Sequence, residues 1–290
     1  MKILKFIIFQ LFIQCFGTYT TYSQKLHSGE YYQEVSKSIT LPPQAGLDVV
    51  KLFKIQDTIK AITSHGIFYY QSEKWTGKPF VSGIINASTD QSQTVWMNND
   101  KTIWSEKGER IPNPPRTHGS QAITATLWTD NNSLLAGTTN GLYIWNGSWE
   151  KDLSFPEIKI NAITQDSDGT VWIASDEGLW QKKIAEWLDI DKIGLALGHD
   201  SQYLTVTTGM NGKDILFSSP KAIAALASDG NHWLKRGADG LPYGPATTIL
   251  ETDSLLWIGT PKGLIRKGKN WRYYTSKRWL ADDQINDILP

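Results

Sequence analysis

The stretch INAITQDSDGTVWIASDEGLWQ, Ile160 to Gln181, decides the fold because the chain repeats its layout. It consists of three short apolar runs that are separated by two turns rich in Asp and Gly. The same order recurs in ATTILETDSLLWIGTPKGLIRK, Ala246 to Lys267, and in AITATLWTDNNSLLAGTTNGLYIW, Ala122 to Trp145. Short apolar runs between Asx and Gly turns are typical of antiparallel strands, and no stretch beyond the N-terminal residues shows a helical period. The sequence therefore predicts an all-β fold.

The residue that opens the third run of each unit, a glycine in the stronger repeats, measures the period of the repeat. Successive markers lie 36, 39, 37, 44 and 41 residues apart. This spacing is typical of the four-stranded blades of a β-propeller. Six repeats and a partial one are visible, so we predict a propeller that is seven-bladed when closed. In chain order the markers are Gly66, Thr102, Gly141, Gly178, Ala222 and Gly263.

The repeats divide the chain into a signal peptide, residues 1–23, and one propeller domain, residues 24–290. The fifth unit is the longest because it contains TGMNGKD, Thr208 to Asp214, whose Gly and Asn content predicts a surface loop. The predicted blades cover approximately residues 50–80, 81–118, 119–155, 156–193, 194–239 and 240–277, followed by a partial blade at 278–290.

The chain contains 13 tryptophans, and the repeat explains most of them. We expect Trp96, Trp172 and Trp257, which lie in second strands, to fill the gaps between twisted neighbouring blades. Another set marks the fourth strand of a unit, and its members are Trp75, Trp149, Trp187, Trp233 and Trp271.

The motifs DSDGTVWIASDEGLW and SLLWIGTPKGLIR resemble the two-component regulator propeller repeat. The resemblance covers most of Lys51 to Lys277. It implies a β-propeller of the kind found in periplasmic sensors of bacterial hybrid two-component systems. It also implies an association with ligand sensing.

The first residues have the layout of a signal peptide. Lys2 and Lys5 precede an apolar core, Phe6 to Ile13, and Thr21 and Ser23 supply the small residues for cleavage after Ser23. We therefore expect a periplasmic or secreted protein.

The cysteine content, the apolar runs and the charge balance restrict the anchors, cross-links and partners that we expect. A lipoprotein signal that uses Cys15 is the disfavoured alternative, because Gln14 is an unusual residue before a lipidated cysteine. Cys15 is the only cysteine, so we expect no disulfide in the mature chain. No later run is long and apolar enough to predict a membrane span. Lys plus Arg and Asp plus Glu both number 29, a balance that argues against a nucleic-acid partner.

No sequence motif indicates catalysis, a metal or a cofactor. The five histidines are far apart in sequence, and there is no nucleophile elbow, phosphate loop or zinc-protease motif. We therefore expect a non-catalytic binding or sensing module. Two alternatives stay open: a propeller hydrolase or lyase, which predicts His or Tyr beside Arg or Asp at the axis, and a protein-binding scaffold, which predicts an exposed apolar patch.

Candidate ligand-binding residues follow from the topology of a blade. The loop between strands two and three opens at the same end of the ring as the crossover to the next blade, and we expect this end to surround an axial funnel. Aromatic rings there would stack on sugar CH groups while amide and charged groups bond hydroxyls, so the favoured ligand is a small molecule or oligosaccharide. The candidate residues are His65, His118, Asn140, Asp176, Tyr243, Lys262, Arg278 and Trp279.

Overall fold

The computed structural model describes residues 5–7, 38–46, 48–79, 83–100, 102–115, 121–190, 202–229, 232–236, 241, 244–253 and 255–290. It confirms the all-β prediction: six four-stranded blades form a ring, and the strands of each blade pair antiparallel in chain order. Apart from one 3-10 turn at Pro43–Ala45, these residues contain no helix. Within the same part of the chain, no helix has the length and apolarity needed to cross a membrane.

Each blade has an inner strand at the axis and an outer strand at the rim. Two short strands, β1 Lys5–Ile7 and β2 Ser38–Thr40, form a separate antiparallel pair. Blade one consists of β3 Val49–Ile55, β4 Thr58–Thr63, β5 Gly66–Gln71 and β6 Lys74–Pro79. Blade two consists of β7 Asn86–Thr89, β8 Val95–Asn98, β9 Thr102–Ser105 and β10 Arg110–Pro112. Blade three consists of β11 Ile123–Trp128, β12 Leu134–Thr138, β13 Gly141–Trp145 and β14 Trp149–Lys151.

The last three blades follow the same order. Blade four consists of β15 Ile160–Gln165, β16 Val171–Ser175, β17 Gly178–Lys183 and β18 Glu186–Asp189. Blade five consists of β19 Thr205–Thr208, β20 Ile215–Ser218, β21 Ala222–Leu226 and β22 His232–Arg236. Blade six consists of β23 Thr248–Thr252, β24 Leu255–Thr260, β25 Gly263–Lys267 and β26 Trp271–Tyr274.

The predicted insertion, TGMNGKD, forms the turn between the first two strands of blade five, but the prediction that it lengthens the fifth unit is wrong. This turn has six residues against five in blades three and four, and the extra length of the unit lies between Asp189 and Thr205.

An aspartate at the first hairpin turn fixes the tryptophan of the second strand in two blades. In blade four, Asp166 Oδ1 accepts the Thr170 N–H at 2.8 Å, and Oδ2 accepts the Trp172 Nε1–H at 2.9 Å. In blade two, Asp90 Oδ2 accepts the Trp96 Nε1–H at 2.9 Å. The carboxylate therefore closes the turn and satisfies a buried indole donor at the same time.

The apolar core lies in layers between neighbouring blades. Trp172 of blade four packs against Tyr203 and Phe217 of blade five. Trp96 of blade two packs in the same way against Tyr143 of blade three. This confirms for both tryptophans that a large ring of the second strand fills the gap between twisted blades.

The marker glycines are explained by backbone conformation. Gly141, Gly178 and Gly263 have φ values of +98°, +152° and +136°. A Cβ atom at Gly263 would also lie 2.5 Å from the carbonyl oxygen of Tyr274. The turn into the third strand therefore requires a glycine in the three best-formed repeats.

Residues 285–288 take the place of an inner strand between blade six and blade one. Ile285 packs against Gly259 of blade six as Ile160 packs against Gly137 of blade three: an added Cβ would lie 2.7 Å and 2.5 Å, respectively, from the isoleucine. The described residues contain no four-stranded sheet at this place. The partial seventh unit is thus present there as one extended segment.

The contacts of this segment join the two ends of the ring, and we call this junction the seam. Asp287 Oδ2 accepts the Leu52 N–H at 2.8 Å, and its Oδ1 lies 3.2 Å from Lys51 Nζ and 3.3 Å from Thr248 Oγ1. Lys51 and Leu52 belong to blade one and Thr248 to blade six. One carboxylate therefore ties the first blade to the last.

Candidate functional site

The loops between strands two and three do meet the blade crossovers at one end of the ring, which we call the crossover face. Tyr203 N–H, at the start of blade five, donates to Ser175 O of blade four at 2.8 Å. Ile285 N–H, beyond blade six, donates to Thr260 O at 3.0 Å. The crossovers are therefore fixed to the loops that carry most of the candidate residues.

A buried hydroxyl at the end of the second strand holds each of four of these loops. Its oxygen donates to the carbonyl of the marker glycine and accepts the N–H two residues further on. At most 1% of each of these residues is exposed. The backbones of these loops are therefore preorganised. The four residues are Thr63, Thr138, Ser175 and Thr260.

Asp176 has the most developed environment among the candidates. Its Oδ1 accepts the Asn161 Nδ2–H at 2.8 Å and the Gln202 Nε2–H at 2.9 Å. Burial by itself raises the pKa of Asp176, but the bonds from Gln202 and Asn161 and the charge of Lys159 outweigh it, so the pKa lies below its ordinary value. No described residue donates a hydrogen bond to the second oxygen, Oδ2. The site thus holds an ionised acceptor whose second oxygen has no hydrogen-bond donor among the described residues.

The other described candidates lie at the crossover face without converging on Asp176. His65 is exposed, and its Nδ1 lies 2.9 Å from Ser64 Oγ. Asn140 is half-buried and Lys262 is exposed, and for both the described bond is that of the backbone N–H to the buried threonine hydroxyl. The sequence therefore places these side chains at one end of the ring, but the contacts do not show a shared pocket.

Arg278 and Trp279 contact each other at the seam. The Arg278 Cζ atom lies 4.8 Å from the ring centroid of Trp279. The Trp279 ring also packs edge-on against Tyr274 at 6.1 Å between centroids and contributes to the apolar cluster around Leu280. These contacts favour a packing role for Trp279. His118 and Tyr243 lie outside the described residues.

Sequence reasoning missed the residues that hold this face together. Asn161 Nδ2 donates to Tyr203 O across the junction of blades four and five at 2.7 Å, and Asn286 Nδ2 donates to Val49 O across the seam at 3.0 Å. The signal was present, because INAI at 160–163 and INDI at 285–288 place an asparagine at the same position of the unit. Gln202 carried no comparable signal.

The described residues hold no group of three or more His, Cys, Asp or Glu that could bind a metal ion. The chemistry that this face offers is hydrogen bonding by carboxylate, amide and basic side chains on a rigid backbone. That chemistry suits recognition of a polar ligand.

Comparison with known proteins agrees with this fold. Residues 154–177, which contain the first two strands of blade four, match the family model of the two component regulator propeller. The resemblance seen in the sequence is thus confirmed for this repeat. No curated protein sequence matches the chain at a significant level.

Several solved structures share the architecture at low sequence identity. The extracellular domain of BT3049 from B. thetaiotaomicron, described as part of a hybrid two component system, matches 79% of this chain and 34% of its own length, with 13% identity and a TM-score of 0.59. Virginiamycin B lyase from Staphylococcus aureus matches 77% of this chain and 83% of its own length, with 13% identity and a TM-score of 0.61. PorZ from Porphyromonas gingivalis is described as a surface component of the type-IX secretion system. It matches 88% of this chain and 46% of its own length, with 12% identity and a TM-score of 0.62.

The chain therefore spans about a third of the length of the BT3049 domain and about half that of PorZ. At these identities the likeness concerns the fold alone. The six blades and the match over residues 154–177 together identify the chain as a β-propeller that carries a two component regulator propeller repeat.

Proposed function

We propose that the protein is an exported, non-catalytic propeller that senses a small polar ligand of the saccharide class at its crossover face. The observation that carries the proposal is Asp176. Asn161 and Gln202 bind its Oδ1, its pKa is lowered, and its Oδ2 accepts no hydrogen bond from a described residue. An ionised carboxylate held by amides is a common acceptor for sugar hydroxyls, because two hydroxyl donors bind its second oxygen without moving the first.

The location of Asp176 connects binding to the ring. Asn161 also donates to Tyr203 O, so the group that holds the carboxylate also joins blade four to blade five. A ligand at Asp176 therefore acts on the contact between two blades. The repeat family and the likeness to the extracellular domain of a hybrid two component system support a sensing role, and the signal-peptide layout supports export.

A glycan array with the mature protein, followed by thermal-shift titration of the best saccharides, tests the proposal. We expect a saturable rise in Tm that is reduced by Asp176→Asn, because the amide replaces an ionised acceptor by a neutral one of the same shape. Asp130→Asn is the matched control, since Asp130 is an exposed turn residue at the opposite end of the ring. Tyr243→Ala and Trp279→Ala test the two predicted stacking platforms. Absence of any saccharide response, or equal responses of the Asp176 and Asp130 variants, would refute the proposal.

A protein-interaction role is the second candidate, and two exposed aliphatic side chains favour it. Leu153 is 87% exposed and Ile184 is 98% exposed. Leu153 follows the outer strand of blade three, and Ile184 lies in the outer hairpin turn of blade four. Asp152, next to Leu153, pairs with Lys182, which lies two residues before Ile184, at 3.0 Å between Oδ2 and Nζ. The double variant Leu153→Ser, Ile184→Ser should abolish capture of a partner from a periplasmic extract and leave saccharide binding unchanged. Equal capture by the double variant and the wild type would argue against this role.

A further inference from the structure

The end of the ring opposite the crossover face, which we call the hairpin face, is tied together by contacts between the turns of successive blades. The Gln91 Nε2–H of blade two donates to the backbone oxygen of Asp130 in blade three. The backbone N–H of Asp130 in turn donates to Gln165 Oε1 of blade four at 2.9 Å. Ser167 N–H of blade four donates to Gly212 O of blade five at 2.7 Å. At three junctions the turns therefore touch directly.

The junction of blades five and six has the same kind of contact as that of blades three and four. The insertion at 208–214 reaches blade six through the Met210 N–H, which donates to Glu251 Oε2 at 3.1 Å. Beside this contact a cleft of about 600 Å³ lies between the insertion and the two hairpin turns of blade six. Its wall includes Asn211 on the insertion and Asp253 and Lys267 on blade six. The first turn of blade five thus forms one wall of an open cleft.

The insertion is held by contacts within the loop and with blade four. Within the loop, Gly209 N–H donates to Asp214 O at 2.7 Å. On the blade-four side, Lys213 Nζ lies 2.9 Å from a carboxylate oxygen of Asp168. Hydrogen bonds from Asn211 and from the Ser228 N–H lower the pKa of Asp214, which keeps this wall of the cleft ionised. These contacts hold the backbone of the wall that the insertion contributes to the cleft.

The lining combines negative charge with aliphatic surface. The lining residues include three with carboxylates, Asp214, Glu251 and Asp253, and one with an ammonium group, Lys267. Met210, which is 60% exposed, and Leu255 supply an apolar strip between them. A cation with an aliphatic chain matches both features, because methylene groups cover apolar surface while the charged head reaches the carboxylates.

We infer that this cleft is a second binding site, for a small ligand that joins a primary amine or guanidinium group to an aliphatic chain. The site is separate from the saccharide site proposed at the crossover face and does not depend on it. The cavity between the insertion and blade six is what selects a compact ligand, and the excess of carboxylates selects its charge.

Isothermal titration of the mature protein with agmatine tests the inference, with 1,4-butanediol as the neutral probe of similar length. We expect saturable binding of agmatine with a stoichiometry of one and no binding of the diol. Removing one exposed charge by Asp253→Asn should weaken binding by about threefold to fivefold. Asp253→Lys, which adds a cation to the wall, should abolish binding. Raising the salt concentration should weaken binding, since the attraction is screened.

The matched control is Asp130→Lys, because Asp130 lies in the corresponding hairpin turn of blade three. Both aspartates are exposed, so neither variant should impair folding, and circular dichroism checks this. The inference is overturned if agmatine and butanediol behave alike, or if Asp130→Lys reduces binding as much as Asp253→Lys does. Because saccharide binding is read with the Asp176 variant, failure at one site does not imply failure at the other.

Discussion

Replacing Asp287 by alanine should destabilise the ring at its seam. The Asp287 side chain is 5% exposed and accepts the N–H of Leu52, a buried residue of blade one. The same carboxylate lies within hydrogen-bonding distance of Thr248 of blade six and of Lys51. Alanine removes all three contacts and leaves the Leu52 N–H without its acceptor.

The loss of unfolding free energy in Asp287→Ala can be worked out from these contacts. A hydrogen bond from a backbone donor to an ionised acceptor contributes about 1.5–3 kcal/mol. The Lys51 side chain is 43% exposed, so solvent screens the ion pair and its share is at most about 1 kcal/mol. A total loss of about 3 kcal/mol corresponds to a fall in Tm of roughly 6–12 °C in a domain of this size.

Thermal unfolding followed by circular dichroism at neutral pH measures this difference. Asp282→Ala is the control, because Asp282 is exposed, belongs to the same segment and accepts a local bond from the Gln284 N–H. We expect the control to change the free energy of unfolding by less than about 0.5 kcal/mol. If Asp287→Ala unfolds within 2 °C of the control, roughly the smallest shift that a 1 kcal/mol change produces, the seam does not stabilise the ring in the way described.

Two further predictions concern blades three and four. Ile184 is a β-branched residue with φ of +56° in a hairpin turn, so Ile184→Asn should raise the free energy of unfolding by about 1 kcal/mol, measured by urea denaturation. Burial raises the pKa of Asp152, but hydrogen bonds from Ser154, Trp187 and Lys182 outweigh it and hold the pKa below its ordinary value. The carboxylate therefore stabilises the fold at neutral pH and loses this contribution as the pH falls through the folded pKa, below about pH 4. The Tm advantage of the wild type over Asp152→Asn should shrink over that range, and an advantage that stays constant would contradict the assignment.

The fold was predictable from sequence because the features that mark a blade are local. The marker glycines reflect a turn that needs positive φ, as Gly141, Gly178 and Gly263 show. The aspartate of the first turn and the tryptophan of the second strand are six residues apart in DSDGTVW, and their side chains bond each other in the same hairpin. Period, turn chemistry and aromatic positions therefore all indicate the same four-stranded unit.

The candidate site was predictable only as a face of the ring. The topology of a blade places His65, Asn140, Asp176 and Lys262 at one end, but it does not determine which side chains meet. Asp176 is held by Gln202, which belongs to the next blade and precedes its inner strand. Contacts of this kind depend on the angle between two blades, and a single sequence carries no record of that angle.

Blade five links the two sites that we propose. Gln202, which binds Asp176 at the crossover face, lies three residues before β19 begins at Thr205, and Met210, which borders the cleft, lies two residues after β19 ends at Thr208. A strand of four residues spans about 13 Å. Because β19 pairs with β20 and its inner positions pack against blade four, its length is fixed, and the two ends of the strand hold a constant separation. The inner strand of blade five therefore connects the residue that holds Asp176 at the crossover face to the loop that borders the cleft at the hairpin face.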